Sequence, residues 1–174
     1  IQVEQVQPKI YPPPYYHSET VKAVIYDISD KTNPKKLREV DLEGYYISSR
    51  KIGPHLYIIA NKYIDYYRIM DKSAAEYQDY KAEPAYRDTA VKDDFIDVDF
   101  KSIRYFPECV EPNYMIIAGI DIDNIDKQAD ISTYLGSGQN IYASLENLYV
   151  TITGYRQIDI KPDVETSTDG GENS

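Results

Sequence analysis

The chain has 174 residues, a formal net charge of −10, 19 Tyr against 3 Phe and no Trp. That length supports one domain with a sizeable core or part of a larger one, and the acidic balance argues against a nucleic-acid surface, which needs a basic face to displace counterions. Docking on anionic lipid is disfavoured for the same reason, whereas calcium or a basic partner suits the sign.

The sole cysteine, Cys109, can form no internal disulfide and has no companions for a cysteine metal site, so it reads as a free thiol. No run has the apolar length of a membrane span. No basic-then-apolar signal opens the chain, which begins at Ile1 rather than Met and so reads as a mature or excised piece. Cysteine poverty suits the cytosol or export from a bacterium that does not use disulfides.

Residues 1–20 read as a connector, stiffened by Pro12-Pro13-Pro14 with Tyr11, Tyr15 and Tyr16 around them. VKAVIYDISD (Val21 to Asp30) alternates as a strand, and Asp30, Asn33 and Pro34 supply the turn chemistry that stops it. LREVDL (Leu37 to Leu42) follows, with Leu37, Glu39 and Asp41 on one face and Arg38, Val40 and Leu42 on the other. Two further strands, about Tyr45 to Ser49 and Leu56 to Ala60, are split by Gly53-Pro54. Leu56 to Ala60 is apolar on both faces, as a strand inside a layered core is.

From Lys62 to Pro112 the pattern loosens into an excursion. Ser73 and Glu76 have capping-box spacing, which predicts a short helix over Ser73 to Glu83. Strand character returns at Asp93 to Phe100, Ser102 to Phe106 and Asn113 to Asp123, then in TYLGSG, NIYAS, NLYVTIT and Tyr155 to Ile160. Residues 161–174 are polar and predicted to be disordered.

The chain repeats itself. Asp27 aligns with Asp121, and 17 residues on, Gly44 aligns with Gly138; Ile47 then matches Ile141. A two-residue difference placed in the following turn brings Leu56-Tyr57 into line with Leu148-Tyr149. Repeated units of short alternating strands build propellers, solenoids and tandem sandwiches. A strand ending in Asp-x-Ser/Asp, a turn, another strand and a Gly-led pair suit a propeller blade best. The expected fold is therefore all-β: a partial β-propeller of about two four-stranded antiparallel blades over 21–160, with the excursion at about 62–112 holding the short helix. A closed propeller needs at least about four blades, so an oligomer or further chain must complete this one.

The residues VIYDISDKTNPKKLREVDLEGYYISSRKIGPHLYIIAN, PAYRDT (Pro84 to Thr89), IRYFP before EPNYMIIAGIDID, and TYLGSGQNIYASLENLYV resemble a family. It is that of the large secreted bacterial and archaeal proteins with a C-terminal β-propeller domain distantly related to WD repeats. The resemblance runs in order over most of Val21 to Val150. It implies export, a secreted or cell-surface location, and a chain that is an internal portion of a longer protein. It carries over no catalytic residues.

Asp121, Asp123 and Asp126 in DIDNID are the candidate metal ligands, since alternating carboxylates resemble the oxygen-rich loops calcium prefers. They lack the glycine and distal Glu of an EF-hand, and a solvated turn is the plainer reading. Asp93, Asp94, Asp97 and Asp99 read as the outward face of an edge strand. Paired acids also raise glycoside hydrolysis, but His17 and His55 lack zinc spacing, Ser48, Ser49 and Ser137 lack a nucleophile elbow, and Gly136-Ser137-Gly138 is a turn rather than a phosphate cradle. No catalytic motif is present. Tyr45, Tyr46, Tyr66, Tyr67, Tyr77, Tyr80 and Tyr86 form the candidate binding surface, with strand-face filling as the alternative.

The expectation is a non-catalytic extracytoplasmic scaffold or binding module presenting loops to protein or cell-wall glycan. A secreted hydrolase using paired carboxylates and a calcium-dependent adhesion module are the rivals. Unpaired strand edges of an incomplete propeller predict association with the remainder of the propeller or with a second copy.

Overall fold

The computed structural model describes residues 19–70, 80–106, 111, 113–136, 138, 140–144 and 146–151. Its strands follow from alternation interrupted by turn chemistry. The first hairpin pairs β1 (Thr20–Asp27) with β2 (Lys35–Glu43). β1 ends because the Asp27 carboxylate accepts the Ser29 N–H at 2.8 Å, and the Asp30 carboxylate does the same for Thr32 at 3.0 Å. These side-chain bonds hold a turn that competes with further ladder. The second hairpin joins β3 (Tyr45–Ile52) to β4 (His55–Lys62) through Gly53, at φ 56°.

A short helix, α1 (Tyr66–Met70), follows. β5 (Ala85–Asp88) and β6 (Lys92–Asp97) form a third hairpin, and a 3-10 turn at Phe100–Ser102 leads to β7 (Arg104–Tyr105). The chain then makes β8 (Tyr114–Asp121), β9 (Asp130–Leu135), β10 (Asn140–Ala143) and β11 (Leu148–Thr151).

The hairpins are dealt alternately between sheets. Sheet I has the order β1-β2-β5-β6, sheet II the order β3-β4-β8-β9-β7, and sheet III is the β10-β11 hairpin. Among the described residues all pairings are antiparallel except β7 with β9. The segment read as an excursion therefore supplies half of sheet I: Leu42 pairs with Tyr86 and Asp41 with Arg87. β5 was hidden because it pairs with a strand some forty positions earlier, whereas β6 falls on the strand expected from Asp93 onward.

Sheets I and II pack face to face. Val40 and Leu42 of sheet I lie against Ile58, Ala60, Ile116, Ala118 and Ile120 of sheet II, with Val21, Ala23 and Ile25 closing the flank. Six of these, among them Leu42, Ile116 and Ile120, are wholly buried, and burying one Val, Leu or Ile side chain is worth about 1.5–3 kcal/mol. The opposite face of sheet II carries Tyr57, Met115 and Ile117, and sheet III begins over it: Leu148 meets Tyr57 and Ile117 across a small hollow. A Cβ on Gly138 would meet both Met115 and Val150. The middle strands β4 and β8 are thus apolar on both faces, as the sequence predicts for Leu56 to Ala60.

The repeat is real but shifted. Thr20 pairs with Glu43 and Tyr114 with Leu135, so β1 corresponds to β8 at an offset of 94 positions. The next residues are Gly44 and Gly136, at φ 113° and 120°, each donating its N–H to the residue before the repeat, Glu19 or Asn113. The counterpart of Gly44 is Gly136, not Gly138, and the offset from there on is 92. The missing two residues lie in the first hairpin turn, where Ile25 faces Arg38 but Gly119 faces Asp130. Ile141 accordingly corresponds to Ser49 rather than Ile47, while Leu56 and Leu148 still match. Each repeat also straddles two sheets: β1–β4 bridge I to II, and β8–β11 bridge II to III.

The helix expected over Ser73 to Glu83 falls largely outside the described residues, and 80–83 are not helical. The connector up to residue 18, Cys109, Tyr155 to Ile160 and the polar tail lie outside them too. Among the described residues no helix is long and apolar enough to cross a membrane.

Candidate functional site

The expected tyrosines divide into two groups. Tyr45 and Tyr46 open β3 and stand 47% and 58% exposed. Tyr45 meets Tyr63, just past β4, edge to face at 5.4 Å between ring centres. Tyr66 and Tyr67 follow on α1, the latter 86% exposed. Because Tyr45 pairs with Asn61, the end of β4 brings Tyr63 beside it. Tyr63 was absent from the sequence-derived set, although its place two residues beyond the partner of Tyr45 is what recruits it. Tyr86 is not part of this surface. It packs on the core between sheets I and II, and its hydroxyl meets the Gln128 side chain at 3.2 Å. Tyr80 is also turned inward, its hydroxyl accepting the Asp65 N–H, and burial pushes its pKa up. Tyr77 lies outside the described residues.

Asp121 ends β8 as Asp27 ends β1. Its carboxylate accepts the Asp123 N–H at 3.2 Å and the Asn124 N–H at 3.3 Å, and lies 3.7 Å from the Lys127 ammonium. Asp123 and Asp126 are exposed. Among the described residues no three His, Cys, Asp or Glu side chains gather as a metal-holding group. Of the other acids, Asp93 pairs with Arg87, Asp94 with Lys92 and Asp97 with Lys81, while Asp99 caps the 3-10 turn. Among the described residues that line the hollow between sheets II and III, about 200 Å³, Glu146 is the one carboxylate, beside Tyr57, Ile117, Ser144 and Leu148.

Three polar clusters hold this frame, and sequence reading missed them. Arg38, on the apolar face of β2, is 2% exposed and clamps the fully buried Asp88 through two bonds, Nε to Oδ1 at 2.9 Å and Nη2 to Oδ2 at 2.6 Å. Arg38 also donates to the Ile125 carbonyl, and Asp88 accepts the N–H groups of Ala90 and Ala129. The pair therefore ties β2 and β5 of sheet I to the β8–β9 turn of sheet II. Burial alone pushes the Asp88 carboxyl up, but the Arg38 guanidinium and the two N–H donors outweigh it and hold the group below its ordinary value. The available signal was an arginine alternating with Val40 and Leu42, where an unpaired cation would be too costly to bury.

Lys62, at the end of β4, is likewise nearly buried. Its ammonium donates to Glu43 Oε2 at 2.8 Å and to the Lys81 and Glu83 carbonyls, and the same Glu43 oxygen accepts the Ala85 N–H. The outward face of sheet I carries the third cluster. Arg87 bonds Asp41 at 2.8 Å, Glu39 at 2.5 Å and Asp93, while Lys22 lies 3.6 Å from both Glu39 and Asp41. Bonds from Lys36 and then Arg87 lower the Glu39 pKa to about 2.

Sheets stacked face to face, with the strands of each covered by the next, are the geometry of blades around an axis. The sequence matches a family described as Beta propeller domain over residues 2–171. The chain belongs to the beta propeller domain family. Neither the curated proteins nor the solved structures contain a match. The propeller's sheets I and II are its two four-stranded antiparallel blades, with β7 added to the edge of the second, and sheet III is the start of a third.

Proposed function

We propose that this propeller segment is a non-catalytic, extracytoplasmic binding module that takes cell-wall glycan on the Tyr45–Tyr63 surface, with protein as the alternative ligand. The observation that carries this reading is the exposed edge-to-face tyrosine pair at one end of sheet II, extended by Tyr46, Tyr66 and Tyr67. Tyrosine rings offer wide faces that stack on sugar C–H groups, and each hydroxyl adds a hydrogen bond at low entropic cost. The end of β4 is fixed by Lys62, so the rings stand on a rigid base. Export is supported by the resemblance to secreted propeller proteins.

The test is the melting midpoint with soluble cell-wall fragments added, since a ligand that binds only the folded state raises it. A rise that Tyr45→Ala or Tyr67→Ala abolishes supports the reading. An unchanged midpoint with glycan overturns it and turns the search to protein partners.

A further inference from the structure

The β3–β4 hairpin is set apart by charge. From Gly44 to Ile64 it holds no Asp or Glu, although the chain has 29 acids. The acids that flank it are already answered, Glu43 by Lys62 at 2.8 Å and Asp65 by Arg68 at 3.5 Å. Arg50 and Lys51 stand exposed near the end of β3. Elsewhere Lys36, Arg38, Lys81, Arg87 and Lys92 sit against carboxylates. Arg50 instead donates to the Ser49 carbonyl at 3.0 Å and Lys51 to the Gly53 carbonyl at 2.7 Å, and among the described residues neither meets a carboxylate.

A bulge arranges the rest of the strand. Tyr45 faces Asn61 and Tyr46 faces Ala60, but Ser48 faces Ile59, which leaves Ile47 without an opposite. Alternation restarts there, so Tyr45, Ser48 and Arg50 lie on one side of β3, and Tyr46, Ser49 and Lys51 on the other. The Tyr46 hydroxyl, 2.9 Å from Ser49 Oγ, follows the second side. Each side thus runs from an aromatic ring through a hydroxyl to one of these cations, over about 20 Å of strand.

We propose that β3 is the track for an anionic glycan, with sugar rings on Tyr45, Tyr46 and Tyr63 and carboxylate or phosphate groups on Arg50 and Lys51. The inference rests on the glycan reading and names the class of glycan. Arginine supplies a planar fork that takes a carboxylate or phosphate through two bonds, and lysine a mobile point charge. The net charge of −10 does not forbid this, because charges more than about 8 Å away are largely screened at physiological ionic strength. What an anionic chain meets on β3 is the local excess of positive charge. The tyrosine rings, each an apolar face with a hydroxyl tip, suit sugar rings, which present C–H groups and hydroxyls together. That favours a glycan over an acidic peptide.

Affinities of the full chain for four soluble probes test it: polygalacturonate, a glycosylated glycerol-phosphate polymer, a neutral cell-wall oligosaccharide and polyglutamate. The account expects at least one of the two acidic glycans to bind several-fold tighter than the neutral one, and which of them does so tells carboxylate from phosphate. Arg50→Gln with Lys51→Gln is expected to erase that ratio. Lys31→Gln with Lys35→Gln, an equal charge change at exposed positions on the first hairpin, is expected to retain it. Acidic and neutral glycans binding alike, or equal losses in the two double variants, overturn the proposal and leave the tyrosine surface standing. Polyglutamate binding as tightly as the acidic glycans assigns the cations to a protein ligand and also overturns it. No glycan bound at all overturns the glycan reading itself, and this inference with it.

Discussion

Arg38 and Asp88, fifty positions apart, form a buried bidentate pair that joins the middle strands of sheet I and fastens them to the β8–β9 turn of sheet II. Removing one partner leaves the other as an uncompensated buried charge, which costs about 3–5 kcal/mol. Asp88→Asn is therefore expected to lower unfolding stability by that order in urea titrations. Arg38→Met combined with Asp88→Asn loses less than Asp88→Asn alone, because no unpaired ion remains.

The glycines separate by position. Gly44 lies at φ 113°, and a Cβ there would fall 2.4 Å from the Asn61 carbonyl oxygen. Gly44→Ala is expected to lower the melting midpoint sharply, since backbone outliers of this kind cost on the order of 1–3 kcal/mol before any clash is counted. Gly53 lies at φ 56° with nothing within 4 Å, a conformation asparagine adopts readily, so Gly53→Asn leaves the midpoint nearly unchanged.

Acid weakens the fold through carboxylates held below their ordinary values. In the unfolded chain Glu39 takes up a proton near 4.5, but in the folded chain only near about 2. The unfolded state thus binds protons first, and the stability present at neutral pH is lost as pH falls from 4.5 toward about 2. Asp88, shifted in the same direction, adds to that slope. Urea midpoints measured down this range are expected to fall, and Glu39→Gln flattens the decline.

Calcium binding at Asp121, Asp123 and Asp126 would compete with the bonds the Asp121 carboxylate accepts from the N–H groups of Asp123 and Asn124 and with the Lys127 ammonium beside it. The hydrogen-bonded turn, shared in form with Asp27 and Ser29, is the expected winner. Melting in chelator and in millimolar calcium should then coincide. A rise with calcium that Asp121→Asn abolishes would restore the adhesion reading.

Local signals were legible where structure is local. The alternation of Leu37 to Leu42, the asparagine–proline turn before it, and the doubly apolar Leu56 to Ala60 all predict the strands that form. The repeat was visible through Asp27 and Asp121, but its phase was not. Two glycines, Gly136 and Gly138, compete for one role, and only the hydrogen bond to Asn113 shows that Gly136 holds it. β5 was hidden in PAYRDT because its pairing with β2 is long-range and carries no periodic mark over four residues. At the candidate site, the exposed Tyr45, Tyr46, Tyr66 and Tyr67 could be named from composition, whereas the inward turn of Tyr86 depends on which face of β5 meets sheet II. The Arg38–Asp88 pair could be suspected from an arginine on an apolar face, but its partner could not be chosen among so many acids.

The central claim is that hairpins alternate between stacked sheets, so that a repeat and a blade are out of phase. Backbone cross-strand NOEs test it most directly. The account predicts contacts from Leu42 to Tyr86 and from Ile58 to Ala118, the facing pairs of β2 with β5 and β4 with β8. A meander in which β2 runs beside β3, with no contact to residues 85–88, would contradict it.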